Sequence, residues 1–168
     1  MAAALALSVL GTAWCREPHH EPRVHAVLTR QGKDTLRIDA PVRAFRCTGP
    51  GAQIRGGLLL QGASGGNGVV VWLRTRDSVT TGPWPVLQRG DTLSPRGATV
   101  GVRFVTGDAA HGAPLDSGTV WVTRADSAVA LVARGTGTET LTSTHMAVEA
   151  TFDAVPVGRD TVSCRFQM

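Results

Sequence analysis

No stretch of this 168-residue chain repeats its apolar residues at the spacing of a helix face, so a helical bundle and a wound α/β scaffold are both disfavoured. Aromatic residues make up only 5% of the chain and do not interleave with basic ones. The charge of +4 comes from 17 Lys+Arg against 13 Asp+Glu, nearly all the bases being Arg. These arginines stand singly, as at Arg30, Arg43, Arg55, Arg74, Arg103 and Arg134. A nucleic-acid surface needs a basic stripe, a reader motif or stacking aromatics, and none is present, so no nucleic-acid partner is expected. The longest apolar run, near the start, falls short of the roughly 20 residues that cross a bilayer.

That run, MAAALALSVLGTAW, is uncharged and stops at Cys15, before the polar REPHHEPR. It reads as the hydrophobic part of a secretory signal, so the chain is expected to be exported. The segment ending in Thr12-Ala13-Trp14-Cys15 resembles the signals of bacterial lipoproteins, in which two small residues precede a lipidated cysteine. Ala13 and Cys15 match that pattern, while Thr12 and Trp14 depart from it. The resemblance implies a lipid anchor at Cys15 and membrane attachment through it. Gly11-Thr12-Ala13 offers a second cleavage signal that would release a soluble protein, and both alternatives stand. The domain plan is therefore a leader at 1–14, a polar tether at 15–23 and a single domain at 24–168.

With Cys15 spent on an anchor, Cys47 and Cys164 remain as an even pair, as an oxidising compartment prefers. Phe45 and Cys47 lie two apart in RAFRC, and Val162, Cys164 and Phe166 share a parity in TVSCRF. Each set occupies one face of a strand. A Cys47–Cys164 disulfide is expected, with both sulfurs turned into the core.

With 20 Gly, 9 Pro and many Val and Thr residues, the composition favours strands and turns. Short strands recur roughly every ten residues: Val24 to Arg30, Leu36 to Cys47 with a break at Ala40-Pro41, Ile54 to Gln61, Val69 to Arg74, Thr99 to Thr106, Thr119 to Thr123, Ala128 to Arg134, Leu141 to Asp153 and Thr161 to Phe166. TGDAAHGAPLDSG reads as a long exposed loop, and PVGRD as a turn before the last strand. The expected fold is all-β, an antiparallel β-sandwich, with a β-barrel as the alternative. DSGTVWVTRAD followed by MAVEATFDAVPV resembles the C-terminal half of small β-rich secreted bacterial lipoproteins of uncharacterised families. The resemblance implies a secreted β-sandwich and carries no catalytic residue.

Candidate chemistry is thin. Gly62-Ala63-Ser64-Gly65-Gly66 matches the G-x-S-x-G pattern of a hydrolase nucleophile, but the motif needs a following helix, and VVVWLR is strand. A flexible hairpin is the expectation, with a small serine hydrolase at Ser64 as an alternative. His19, His20 and His25 could hold a transition metal weakly. His111 and His145 read as ordinary surface residues. Trp84, between two prolines, is the tryptophan expected at the surface, where it could bind a sugar or a partner. The reading is a non-enzymatic binding or structural module of the cell envelope that needs no cofactor.

Overall fold

The computed structural model describes residues 21–48, 57–91 and 93–164. The leader, Cys15, His19 and His20 lie outside the described residues. Nine strands occur among the described residues: β1 (Arg23–Arg30), β2 (Thr35–Thr48), β3 (Gly57–Ser64), β4 (Asn67–Arg74), β5 (Gly82–Pro85), β6 (Gly97–Thr106), β7 (Ala109–Ala125), β8 (Ala128–Thr138) and β9 (His145–Ser163). The fold is all-β.

The pairing closes on itself. Strands run β7-β6-β4-β3-β2-β1-β9-β8, and β8 pairs back onto β7 to complete an eight-stranded barrel, with β5 added beside β7. The expected sandwich therefore gives way to its alternative, and the cause lies in three long strands. The first part of β2 pairs with β1 up to Pro41, and the part from Val42 pairs with β3. Strand β7 pairs with β6 through Pro114 and with β5 from Thr119, holding β8 along its other side. Strand β9 pairs with β1 and β8, then runs parallel to β2 from Val157. Two sheets that share strands at their corners have no free edges there, and a barrel results.

Local chemistry makes these corners possible. Ala40-Pro41 does not break β2; the proline marks the place where the strand changes neighbours. PVGRD is likewise strand, and β9 bends beside Ala154, whose φ is +40°. The stretch read as a long exposed loop is a tight turn at 107–108 followed by β7. Its glycines and Pro114 looked like breakers, yet they serve a sharp bend. At Gly137 a Cβ would come within 2.0 Å of the Pro114 carbonyl oxygen, so only glycine lets β8 approach β7.

The barrel interior is filled, not hollow. Leu28, Leu60, Leu73, Leu115, Leu131, Phe104, Phe152 and Trp84 are fully buried among alanines and valines from every wall. Each such side chain contributes about 1.5–3 kcal/mol by leaving water. Strand alternation selects them: Val24, Ala26 and Leu28 of β1 point inward, as do Ile38, Ala40, Val42 and Ala44 of β2.

Cys47 and Cys164 form the expected disulfide, with Cα atoms 5.4 Å apart. Its position corrects the sequence reading, because the sulfurs lie outside the barrel. Inward positions of β2 are even-numbered, so Cys47 and Phe45 face outward. The two cysteines pack with Trp72, Leu59 and Val162 into a separate small cluster on the outer side of the sheet. VVVWLR is covered on both sides for this reason: Val69, Val71 and Leu73 face the core, and Trp72 faces the disulfide.

Candidate binding groove

The disulfide end of this outer face opens into a groove of about 760 Å³ that crosses β3, β4, β6 and β7. It runs from Ser163 and Cys164 at one end to the Gly66-Asn67 hairpin tip at the other. The register explains its shape. Arg103 of β6 faces outward with Gly68 of β4 on one side and Gly112 of β7 on the other. Gly101 lies two residues earlier on the same face, paired with Val70, and Ala63 lies beyond Gly68. One long cationic side chain thus stands on a floor of glycine and alanine.

Glycine inside a strand weakens it, because there is no side chain to pack and more backbone entropy is lost. The fold demands some of these glycines. At Gly68 a Cβ would meet the Gly62 carbonyl oxygen at 2.7 Å. Gly112 is different. A Cβ there finds nothing closer than 3.9 Å, and its φ is not in the left-handed region. Barrel packing leaves room for a larger residue at 112.

Electrostatics adds to the geometry. Among the described residues, neither Arg103 nor Arg43, which sits across the face beside Gln61, has a carboxylate partner. Gln61 also lines the groove. Asn67 fixes the β6 edge by accepting from the Val105 amide at 2.8 Å. The site offers one unpaired guanidinium, amide groups and a flat, mostly apolar floor.

Of the residues singled out from sequence, Cys164 and His111 line the groove, while Ser64, His25 and Trp84 do not. Ser64 ends β3 opposite Asn67, across a two-residue turn whose Gly65 and Gly66 both have positive φ. That is a β-hairpin turn, not the strand-to-helix elbow of a hydrolase. No histidine hydrogen-bonds Ser64 among the described residues. His25 lies on the barrel surface, its Nδ1 3.5 Å from Asp39, which also accepts from Arg23 at 2.5 Å. No group of three His, Cys, Asp or Glu suited to a metal occurs among the described residues.

Trp84 is not a surface residue: its exposure is 0%, its indole donates to the Thr80 carbonyl at 3.0 Å, and the Arg96 guanidinium covers its ring at 4.2 Å. The flanking prolines place β5 at the barrel wall and leave the tryptophan as its inward residue. Among the described tryptophans, Trp121 is the exposed one.

His111 is mostly covered, stacked on Phe104 at one end of the barrel with ring centroids 5.1 Å apart. Its Nε2 is 2.8 Å from the Thr106 hydroxyl, and its Nδ1 is 3.5 Å from Glu139. Glu139 is buried and takes a 2.5 Å hydrogen bond from the Arg30 Nε and another from the Thr142 hydroxyl. Burial pushes this carboxyl up. The Arg30 and Thr142 hydrogen bonds, with the charges of Arg30 and His111, outweigh burial and hold it below the ordinary glutamate value. Arg30 also lies over Phe104, 5.1 Å from the ring centre. The group closes the barrel end, and every member but Thr142 packs inside the wall or rim.

His145 stays exposed, as its sequence context implied. Glycines inside β6 and β7 were the available signal for the groove, but without register they could not be placed on one face. No family model, no curated protein and no solved structure matches the chain, so the reading of this site rests on its own geometry.

Proposed function

We propose that the chain is an exported binding module of the cell envelope, and that its groove holds a strand of acidic polysaccharide. The observation that carries this reading is Arg103, unpaired and flanked by glycines, one of which the barrel does not need. A guanidinium fork matches a carboxylate in two parallel hydrogen bonds. The flat glycine floor suits the faces of sugar rings. An extended peptide fits less well, since strand addition needs a free sheet edge. Here the groove lies on a sheet face whose backbone groups are already paired.

Export is supported by the apolar leader and by the disulfide, which belongs in an oxidising compartment. Cys15 is the residue that would carry a lipid anchor.

Affinity electrophoresis and calorimetric titration with polygalacturonate test the reading. Wild type should bind and weaken as salt rises. Arg103→Gln should lose tenfold or more, about 1.4 kcal/mol. Gly112→Val should block binding while leaving the thermal midpoint near wild type. Equal binding by all three proteins, or tighter binding of poly-glutamate than of polygalacturonate, would overturn the proposal.

A further inference from the structure

The opposite outer face has a different chemistry. Trp121 stands in the middle of β7 with 52% of its surface exposed. The other strongly exposed large apolar residues, Leu93 and Leu141, lie in loops. A lone exposed apolar side chain carries no message. The arrangement around this one does.

Trp121 pairs with Pro83 of β5 on one side and Val132 of β8 on the other. Both neighbours are short and apolar, so they shoulder the indole without covering it. Along its own strand, the same-face neighbours at two residues' distance are Thr119 and Thr123, both exposed. The register line continues from Val132 to Thr151 of β9, then to His25 of β1 and Asp39 of β2. Strands lie about 4.8 Å apart, so Thr151 sits roughly 10 Å from Trp121 along this line. The next line holds Thr119, Arg134 and Glu149. An aromatic plate is thus ringed by hydroxyls and by hydrogen-bonding pairs, all mounted on paired strands and none on a loop.

The charges nearest Trp121 on this face are paired with one another, while Arg37 and Asp153 farther out on it carry no ion pair among the described residues. Arg134 donates to Glu149 at 2.7 Å, and Arg23 and His25 both face Asp39. That contrasts with the unpaired Arg103 of the groove. A face whose apolar plate is surrounded by hydroxyls and by charges already paired with each other fits a ligand that is itself uncharged, flat on one side and rich in hydroxyls.

We infer that the Trp121 face is a second binding site, for a neutral saccharide chain with one sugar ring stacked on the indole. Pyranose rings with equatorial linkages present C–H bonds on a flat face, which meet the negative face of the indole. Their rim hydroxyls then reach Thr119, Thr123, Thr151 and the Arg134–Glu149 pair. The indole is held by strands on both sides, so little order is gained or lost on binding. This site does not depend on the groove. If both are occupied, one molecule ties an acidic chain to a neutral one.

The test is calorimetric titration of the full chain with cellohexaose, beside sedimentation velocity. Wild type should bind in the millimolar to micromolar range. Trp121→Ala should lose binding at least tenfold, Trp121→Phe should recover part of it, and Arg103→Gln should leave it unchanged. Trp121→Gln serves as a second truncation, since a surface amide on a strand leaves the core intact. Circular dichroism confirms that each variant is folded. Absence of saturable binding, or binding by Trp121→Ala and Trp121→Gln equal to that of the wild type, would sink the inference. A wild-type dimer that Trp121→Ala converts to monomer would also sink it, because the face would then be covered by a second copy. Failure of polygalacturonate binding with retention of cellohexaose binding would remove the groove reading alone.

Discussion

Replacing Glu139 by Gln changes one oxygen for nitrogen and removes one charge, with almost no change in shape. In the native barrel end, Glu139 accepts from Arg30 and Thr142, and His111 faces it at 3.5 Å. Both Arg30 and Glu139 are almost completely buried. The variant leaves the Arg30 guanidinium with Asp34 as its only anion among the described residues, 3.6 Å away and largely in solvent, where screening makes it a poor substitute. Removing one partner of a buried pair costs about 3–5 kcal/mol. Asp34 and the cation–π contact with Phe104 place the loss near the lower end, about 3 kcal/mol. Urea unfolding at neutral pH measures it as a shift in midpoint at constant slope.

Arg30→Met combined with Glu139→Leu should lose much less than the two single variants added together, because neither charge is then stranded. The pH dependence follows from the sign of the shift. Glu139 is held below its ordinary value of 4.5, so its contribution is fully present above that pH. It disappears as pH falls through the folded value. The wild type should therefore converge on Glu139→Gln in acid. A loss under about 1 kcal/mol for Glu139→Gln, or a double variant as damaged as the sum, would refute the buried-pair reasoning.

Other outcomes follow from particular residues. The disulfide closes a loop spanning 117 positions, so Cys47→Ala with Cys164→Ala should lower stability by about 4–5 kcal/mol in the chain-entropy picture, read by urea unfolding. Gly137→Ala should destabilise far more than Gly112→Ala. The first forces a Cβ to within 2.0 Å of the Pro114 carbonyl and the second meets only ordinary contacts, a difference that thermal melts resolve. The Asp91 carboxyl is lowered to about 2, first by the Ser94 hydroxyl, with the Ser94 and Leu93 amides and Arg74 adding to it against burial. Its contribution should hold above the ordinary value of 3.8 and fade toward pH 2, and Asp91→Asn should lose it at neutral pH, measured by protease sensitivity around residue 93.

Much of the wall was legible in the sequence, because alternation in Val100, Val102 and Phe104, or in Met146, Val148, Ala150 and Phe152, is a local property. The cysteine pair was legible from number and parity. Which side of the sheet the parity pointed to was not, since Phe45 and Cys47 look as apolar as any core pair until Ala44 and Val42 are seen to fill the inside. The closure was hidden for the same reason that the first part of β7 read as a loop. Glycine and proline at a strand corner have the composition of a turn, and only pairing partners distinguish the two. Trp84 and Trp121 changed places because exposure depends on which parity of a strand faces inward, and four residues of β5 give too little pattern to decide. The groove needed cross-strand register to bring Gly68, Arg103 and Gly112 together, and register is a long-range property.

The pairing of β1 with β9 has a consequence for how the barrel is made. The first strand cannot acquire both neighbours until the last strand is available, and the Cys47–Cys164 bond waits on the same segment. A chain emerging from its amino end therefore carries an open, unfinished sheet through nearly its whole length, and closure comes late and at once. Such non-local order makes folding slow. Chains ended before residue 145 should stay fully sensitive to protease, while the complete chain becomes resistant. A protein that cannot close early stays threadable, which is what the proposed export through a membrane pore would require.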